Sequence, residues 1–258
     1  MLRIGNYTVQ PRLVVLDKDG TLMAFEKLWH TWFRYALRIL GQKIALSDEL
    51  IAALAGTLGY DPQTDEWDPA GPLTIASTGE VGLLIASQVY RHSELDWTQA
   101  LMAVQQATAQ ARAELPLEEL LEPIGDVRGT LERLHKQGIL IAVATTDDRA
   151  DTMRGLAALG IAGLMTAVVC GDDGIPLKPD PEMALEICRR AKVAPGEAIM
   201  VGDTVADLEM ARRAGYALAV GVSSGASSAE LLARYADVVI PNIEAIQVGG
   251  ECQEPRER

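Results

Sequence analysis

From about residue 126 to residue 241 the chain alternates helix-like with strand-like segments, which predicts an α/β fold with a Rossmann-like, doubly wound parallel sheet. An apolar run ending at Leu16 supplies an early first strand for that sheet. Residues 24–124 break the alternation and carry helical spacing instead. The expected organisation is therefore an α/β core built from residues 1–23 and 125–258, an α-helical insertion over 24–124, and a frayed tail over 249–258. A chain of 258 residues is long enough for such a core and insertion.

The elements follow in order. In the insertion, "EKLWHTWFRYALRIL" places Leu28, Trp32, Phe33, Ala36, Ile39 and Leu40 at helical intervals. A second helix starts near Ser47, a third covers "EVGLLIASQVY", and a fourth follows Asp96, whose pairing with Gln99 reads as a capping box. Between the second and third lies "YDPQTDEWDPAGPLTIAST", a long Asp-, Pro- and Gly-rich loop that either covers a site or merely connects. In the core, "GDVRGTLERLHKQG" is a helix stopping at Gly138, and "ILIAVAT" is a buried strand. A helix near "RADTMRGLAALG" and a strand "TAVVC" come next. Asp180 caps a helix with Pro181 at its first position that runs to about Lys192. "AIMVGD", "DLEMARRAG" and "YALAVGV" are strand, helix and strand, and a helix over Ser228 to Tyr235 precedes a last strand, "VVIP".

Composition narrows the function. A formal net charge of -13 argues against a general nucleic-acid binder, which presents a basic footprint to phosphates. No segment has the roughly 18 apolar residues of a membrane span, and no signal-peptide core is evident, so the expectation is a soluble cytoplasmic protein with no membrane partner. Cys170, Cys188 and Cys252 are odd in number and form no CxxC pair, which favours reduced structural thiols.

In a parallel sheet the residues just past the carboxyl ends of the strands gather in one crevice. Here that rule collects Asp17 and Asp19 after the first strand and Thr145 and Thr146 after the second. It adds Lys178 in the loop after the third, and Asp203 and Asp207 after the fourth. Such a set makes little sense as apolar packing, because unpaired buried charges are unfavourable. A hard divalent cation, Mg2+ by its oxygen ligands, would offset the negative charge, and with Lys178 would hold a phosphoryl group.

The same residues resemble the motifs of the haloacid dehalogenase-like hydrolases. DxDGT appears as Asp17-Lys18-Asp19-Gly20-Thr21, the strand ending at Thr145 is similar to the second motif, "PLKPDPE" with Lys178 to the third, and "VGDTVADLEMARRAG" to the fourth. The resemblance implies that Asp17 is the nucleophile and Asp19 the acid/base. It implies that Thr145, Thr146 and Lys178 contact the phosphoryl group, and that Asp17, Asp203 and the Asp19 backbone carbonyl bind Mg2+. Gly20 supports the turn, and Asp207 pairs with Lys178 or holds a metal-bound water. Thr146 departs from the Asn of many relatives, and Lys18 is expected to be noncatalytic.

The insertion between the first and second motifs resembles the C1 cap of the phosphoglycolate phosphatase-like branch, after a short flap over 21–25. The implied function is a Mg2+-dependent phosphatase acting on a small phosphorylated metabolite. A sugar phosphomutase and a noncatalytic phosphoryl-binding protein are the alternatives. A receiver domain is disfavoured, since it carries its acceptor after a later strand and lacks so large an insertion. Specificity is expected in the long loop, including Trp67, and Arg34, Arg38, Arg91 and Arg149 are available to recruit an anion, none of them singled out.

Overall fold

The computed structural model describes residues 1–24, 26–64, 66–68 and 70–249. The expected tail beyond Gly249, Cys252 and the Phe25 end of the flap lie outside the described residues. A hairpin of β1 (Leu2–Ile4) and β2 (Tyr7–Val9) leads into β3 (Leu13–Leu16). Next come α1 (Glu26–Leu40), α2 (Asp48–Leu58), a two-stranded ladder of β4 (Tyr60–Asp61) and β5 (Glu66–Trp67), α3 (Pro72–Ile75), α4 (Thr78–His92), α5 (Trp97–Glu114) and α6 (Leu117–Leu120). The chain then alternates α7 (Val127–Lys136), β6 (Leu140–Ala144), α8 (Arg149–Ala158), β7 (Met165–Val169), α9 (Glu182–Ala191), β8 (Ala198–Gly202), α10 (Val205–Ala214), β9 (Leu218–Val222), α11 (Ala229–Leu232) and β10 (Val238–Ile240), and closes on β11 (Ile246–Val248).

The main sheet has the order β10-β9-β8-β3-β6-β7, with every pairing parallel. Because β3 is central and the winding reverses beside it, the switch point falls at β3 and β8, where a ligand crevice opens. Alternation along each strand divides the core between the two faces. Val14, Leu16, Val143 and Val201 pack on α7 and α8 through Leu131, Leu134 and Leu156. Leu13, Val15, Ala142 and Met200 pack on α9 and α10 through Met183, Ile187 and Leu208. Both faces are covered, as a parallel sheet requires.

Between β3 and α7 the helices close a hydrophobic cluster of their own, with Trp32, Phe33, Ile39, Leu50, Leu54 and Val89 at its centre. Local signals set their starts. Ser47 accepts from Leu50 N at 3.1 Å, and Asp96 and Gln99 form the expected reciprocal capping box; each such cap stabilises a helix by about 1 kcal/mol.

Three details differ from the sequence reading. The helix expected over Ser228 to Tyr235 is a single turn ending at Leu232. The helix after Lys178 begins at Glu182, with Pro181 at the cap position, and Asp180 accepts from Glu182 N at 3.0 Å. β1, β2 and β11 form a small antiparallel sheet that the sequence reading does not contain. Its strands are three residues long, too short for a period to register, yet Leu2 and Ile4 are fully buried against the main core. Cys170 and Cys188 are buried free thiols. Among the described residues no helix is long and apolar enough to cross a membrane.

Candidate active site

Register brings the acidic residues together. Leu16 is level with Val143 on one side and Val201 on the other, and Asp17 N donates to Val201 O at 2.9 Å. Asp17, Thr145 and Asp203 therefore leave three adjacent strands at nearly the same height. Lys178 reaches in from the loop after β7, and its Nζ donates to Asp17 Oδ1 at 2.5 Å and to Asp207 Oδ1 at 2.6 Å. Asp207 Oδ2 accepts from Thr204 N and Thr204 Oγ1, so both its oxygens are committed. Of the two roles open to Asp207 in the sequence, the geometry here is the ion pair.

Burial sets the protonation chemistry. Desolvation raises Asp17 to about 6 against the opposing pull of Lys178. Asp203 is pushed well above the usual carboxylate range, first by burial and then by the charges of Asp17 and Asp207. For Lys178 burial alone would lower the pKa, but Asp17 and Asp207 together outweigh it, and the ammonium stays charged.

Asp203 is also the hub of the turn after Asp19. Its Oδ1 accepts from Thr21 Oγ1 at 3.1 Å and its Oδ2 from Ala226 N at 2.8 Å. Gly20 sits at φ +75°, and a Cβ there would lie 2.3 Å from Asp203 Oδ2; one on Gly225 would lie 2.1 Å from the same atom. Two backbones thus close on one carboxylate because neither carries a side chain. Asp17, Asp203 and Asp207 each offer a carboxylate oxygen, all within 4.8 Å of one another and all buried. The acids of Asp17 and Asp203 fit a hard cation, since closely set carboxylate oxygens are what such an ion selects.

A second buried ion pair lies beside the first. Lys18, only 3% exposed, donates to Asp19 Oδ2 at 2.6 Å and pairs with Asp147 Oδ2 at 2.8 Å. Burial raises Asp19 to about 7, partly opposed by Lys18, while Asp19 Oδ1 is buried with no partner among the described residues. The partners of the Lys18 ammonium are thus Asp19 and Asp147, and it holds one oxygen of Asp19. Asp147 is absent from the sequence-derived set. The run Thr145-Thr146-Asp147-Asp148 offered the signal, since a third residue past a strand end can still face the crevice.

Asp17, Asp19, Asp147, Lys178 and Asp203 form one wall of a cleft. Thr145 and Thr146 line it with Asp17, Asp19, Lys178 and Asp203, so every strand-end residue of the sequence set except Asp207 faces the same space. Thr145 Oγ1 accepts from Asp147 N at 3.2 Å. The opposite wall comes from the insertion: Trp29 of α1, and Leu73, Thr74, Ile75 and Ala76 of α3 and its cap. Of the two readings of the long loop, covering the site is the one the fold adopts. Trp67 is a correction to the sequence reading: it stacks on Tyr60 at 4.5 Å and packs against Phe33 and His30 inside the insertion, away from the cleft, because β5 turns it toward the helices. Arg38 is paired with Glu114 and Arg149 with Asp173, and neither lines the cleft. Arg112 of α5 reaches the start of α8, pairing with Asp148 and, at 3.6 Å, with Asp151, which ties the insertion to the core.

Comparison with known proteins places this arrangement. A family model for haloacid dehalogenase-like hydrolases matches residues 11–215. The chain is 34% identical to pyrophosphatase PpaX of Halalkalibacterium halodurans over 103 residues, which are 40% of this chain and 48% of that protein. It is 32% identical to a phosphoglycolate phosphatase of Agrobacterium fabrum over 135 residues, 52% of this chain and 57% of that protein. The matches thus span about half the length of these curated relatives. Among solved structures, a HAD phosphatase from Thermococcus onnurineus superposes with a TM-score of 0.63 at 20% identity, covering 90% of this chain and 94% of the other. CbbY from Rhodobacter sphaeroides, in complex with phosphate, gives 0.61 at 20% identity, covering 90% and 95%. These two likenesses are of fold.

Proposed function

The chain belongs to the haloacid dehalogenase-like hydrolases, and from that premise we propose that it is a Mg2+-dependent phosphatase hydrolysing the phosphate monoester of a small metabolite through an aspartyl-phosphate. The observation that carries this reading is the pairing at the end of β3. Asp17, held by Lys178, and Asp19, held by Lys18, face one cleft.

Lys178 holds Asp17 Oδ1, so Oδ2 is the oxygen left to attack phosphorus; the new O–P bond forms as the bond to the leaving alcohol breaks. Burial raises both Asp17 and Asp19 from the usual carboxylate range toward neutral pH, where a carboxyl group can give and take a proton. Because Lys18 occupies Asp19 Oδ2, the proton sits on Oδ1, from which it passes to the departing oxygen. Asp19 then takes a proton from the water that attacks the aspartyl-phosphate. Thr145 and Lys178 hold the phosphoryl oxygens, with Thr146 beside them. Mg2+, held by Asp17, Asp203 and the Asp19 carbonyl, would supply charge neutralisation on the transferring group. The helical insertion over 24–124 acts as a cap that excludes water from the cleft.

The test is phosphate release from a panel of phosphorylated metabolites, with and without Mg2+, by the protein and by Asp17→Asn. Mg2+-dependent release that falls at least about a thousandfold in the variant is expected. Return of the phosphoryl group to a second sugar position would instead mark a mutase, and tight phosphate binding without turnover a binding protein.

A further inference from the structure

Lys18 and Lys178 are built into the site in the same way. Each ammonium is shared between two carboxylates: Lys178 joins Asp17 to Asp207, and Lys18 joins Asp19 to Asp147. In the first bridge Asp207 is the fixed end, held in turn by Thr204. Asp147 has the matching place in the second. Resting on the phosphatase reading, we propose that Asp147 is a positioning residue of the reaction: by anchoring Lys18 it keeps the Asp19 carboxyl turned so that Oδ1 meets the oxygen of the departing alcohol.

Asp19 needs such an anchor more than the other acids of the site do. Asp203 is fixed by Thr21 and Ala226, and Asp207 by Thr204 as well as by Lys178. Among the described residues the Asp19 side chain has one hydrogen bond, from Lys18 to Oδ2 at 2.6 Å, and its Oδ1 has none. A carboxyl held at one oxygen by a lysine can swing unless the ammonium is itself pinned, because that side chain carries roughly 2 kcal/mol of rotamer entropy. Asp147 Oδ2, 2.8 Å from the ammonium, pins it. Both Lys18 and Asp147 are buried, and in such surroundings their attraction is stronger than it would be in water.

Asp147 is in turn a fixed point. Its N–H donates to Thr145 Oγ1 at 3.2 Å, and its carbonyl accepts from Gly171 N at 2.8 Å. A Cβ on Gly171 would lie 2.1 Å from Thr146 O, so the loops after β6 and β7 close on each other only because glycine stands there. Asp148, next in the chain, is paired with Arg112 of the insertion. The turn after β6 is thus tied to its own strand end, to the following loop and to the insertion before its carboxylate reaches Lys18.

This arrangement has a chemical signature. As the ester O–P bond breaks, a basic leaving oxygen has to receive the proton from Asp19, whereas an acidic one departs as the anion. Displacing Asp19 Oδ1 is therefore felt by the first kind of substrate and much less by the second.

The deciding experiment measures kcat/KM with Mg2+ for phenyl phosphate and 4-nitrophenyl phosphate, which are similar in shape but differ strongly in the acidity of the leaving phenol. This constant covers the steps up to phenol release, so later hydrolysis of the aspartyl-phosphate does not enter. Acetyl phosphate serves as a small, activated control and Asp17→Asn as the blank. The unaltered protein should cleave the two phenyl esters within about tenfold of each other. In Lys18→Met/Asp147→Asn, which removes both charges together, the value for phenyl phosphate should fall about a hundredfold and that for 4-nitrophenyl phosphate about fivefold or less. Asp147→Ala alone should lower the ratio of the two by about fivefold. Because each ratio is taken on one sample, a misfolded fraction cancels. An equal fall with both esters, or no fall with either, overturns the inference and leaves the phosphatase reading standing. So does cleavage of the activated substrates alone by the unaltered protein, since an acid already in place serves a basic leaving group. If Asp17-dependent release is absent with all three substrates, both readings fall together.

Discussion

The core wall of the cleft and its insertion wall are held by different forces. On the core side, Asp17, Asp19, Asp147, Asp203 and Asp207 are gathered around Lys18 and Lys178, with hydrogen bonds from Thr21, Thr204 and Ala226 fixing what the two ammonium groups do not reach. On the insertion side, Trp29, Leu73 and Ile75 are positioned by helix packing alone, and Ile75 stands in the open. The difference teaches that the two walls should answer differently to substitution. Charged groups in low dielectric tolerate little displacement, whereas an apolar wall can be repacked with modest loss.

The largest effect should come from breaking the core wall. Lys178→Met leaves Asp17 and Asp207 buried and facing each other, and the metal-free protein should lose about 3–5 kcal/mol, read as a fall in Tm of roughly 10 °C. A fall of a degree or two would mean that the pair is dispensable and that the contrast between the walls is overstated.

Lys18→Met should cost somewhat less, about 2–3 kcal/mol, because the side chains of Asp19 and Asp147 retain 20% and 13% exposure and can be partly rehydrated. Adding Asp147→Asn to that variant should recover part of the loss in chemical denaturation, since one orphaned charge is removed. Additive losses would show that Lys18 and Asp147 do not act on each other.

A smaller, pH-dependent effect sharpens the electrostatic half of the comparison. Asp17 and Asp19 rise from an ordinary 3.8 to about 6 and about 7, so between pH 4 and 7 the folded protein binds more protons than the unfolded chain. Their contribution therefore weakens the metal-free fold as pH rises through that window. A divalent cation offsets the cost of burying these carboxylates in charged form, so the rise in Tm on adding MgCl2 should be larger at pH 8 than at pH 5. An equal rise at both would detach the cation from these carboxylates.

The least effect is expected on the insertion side. Trp67→Phe keeps the stack on Tyr60 and removes an Nε1 that is buried with no partner among the described residues, so its stability cost should stay below about 1.5 kcal/mol. Turnover should be unaltered, because Trp67 lies outside the cleft. A change in KM would show that Trp67 reaches the substrate after all.

Elements with a local cause were legible from the chain. Ser47 and the Asp96–Gln99 box marked helix starts, Gly138 and Gly160 marked helix ends, and the apolar runs after them marked strands. Legibility failed where partners are distant. β1 and β11 lie about 240 residues apart and are three residues long, so neither carries a period of its own. Asp147 is one of several acids after β6 in the sequence, and only its contact with Lys18, distant in the chain, sets it apart.

By itself the sequence determined which residues leave the carboxyl ends of the strands, because strand period and chain order place Asp17, Thr145, Lys178 and Asp203 at one edge of any right-handed parallel sheet. Tertiary structure alone decided that Lys18 is shared between Asp19 and Asp147, that Asp207 is spent on Lys178, and that α3 rather than Trp67 faces the site. Those outcomes depend on distances between side chains far apart in sequence, and nothing in local propensity or periodicity specifies which buried charge meets which.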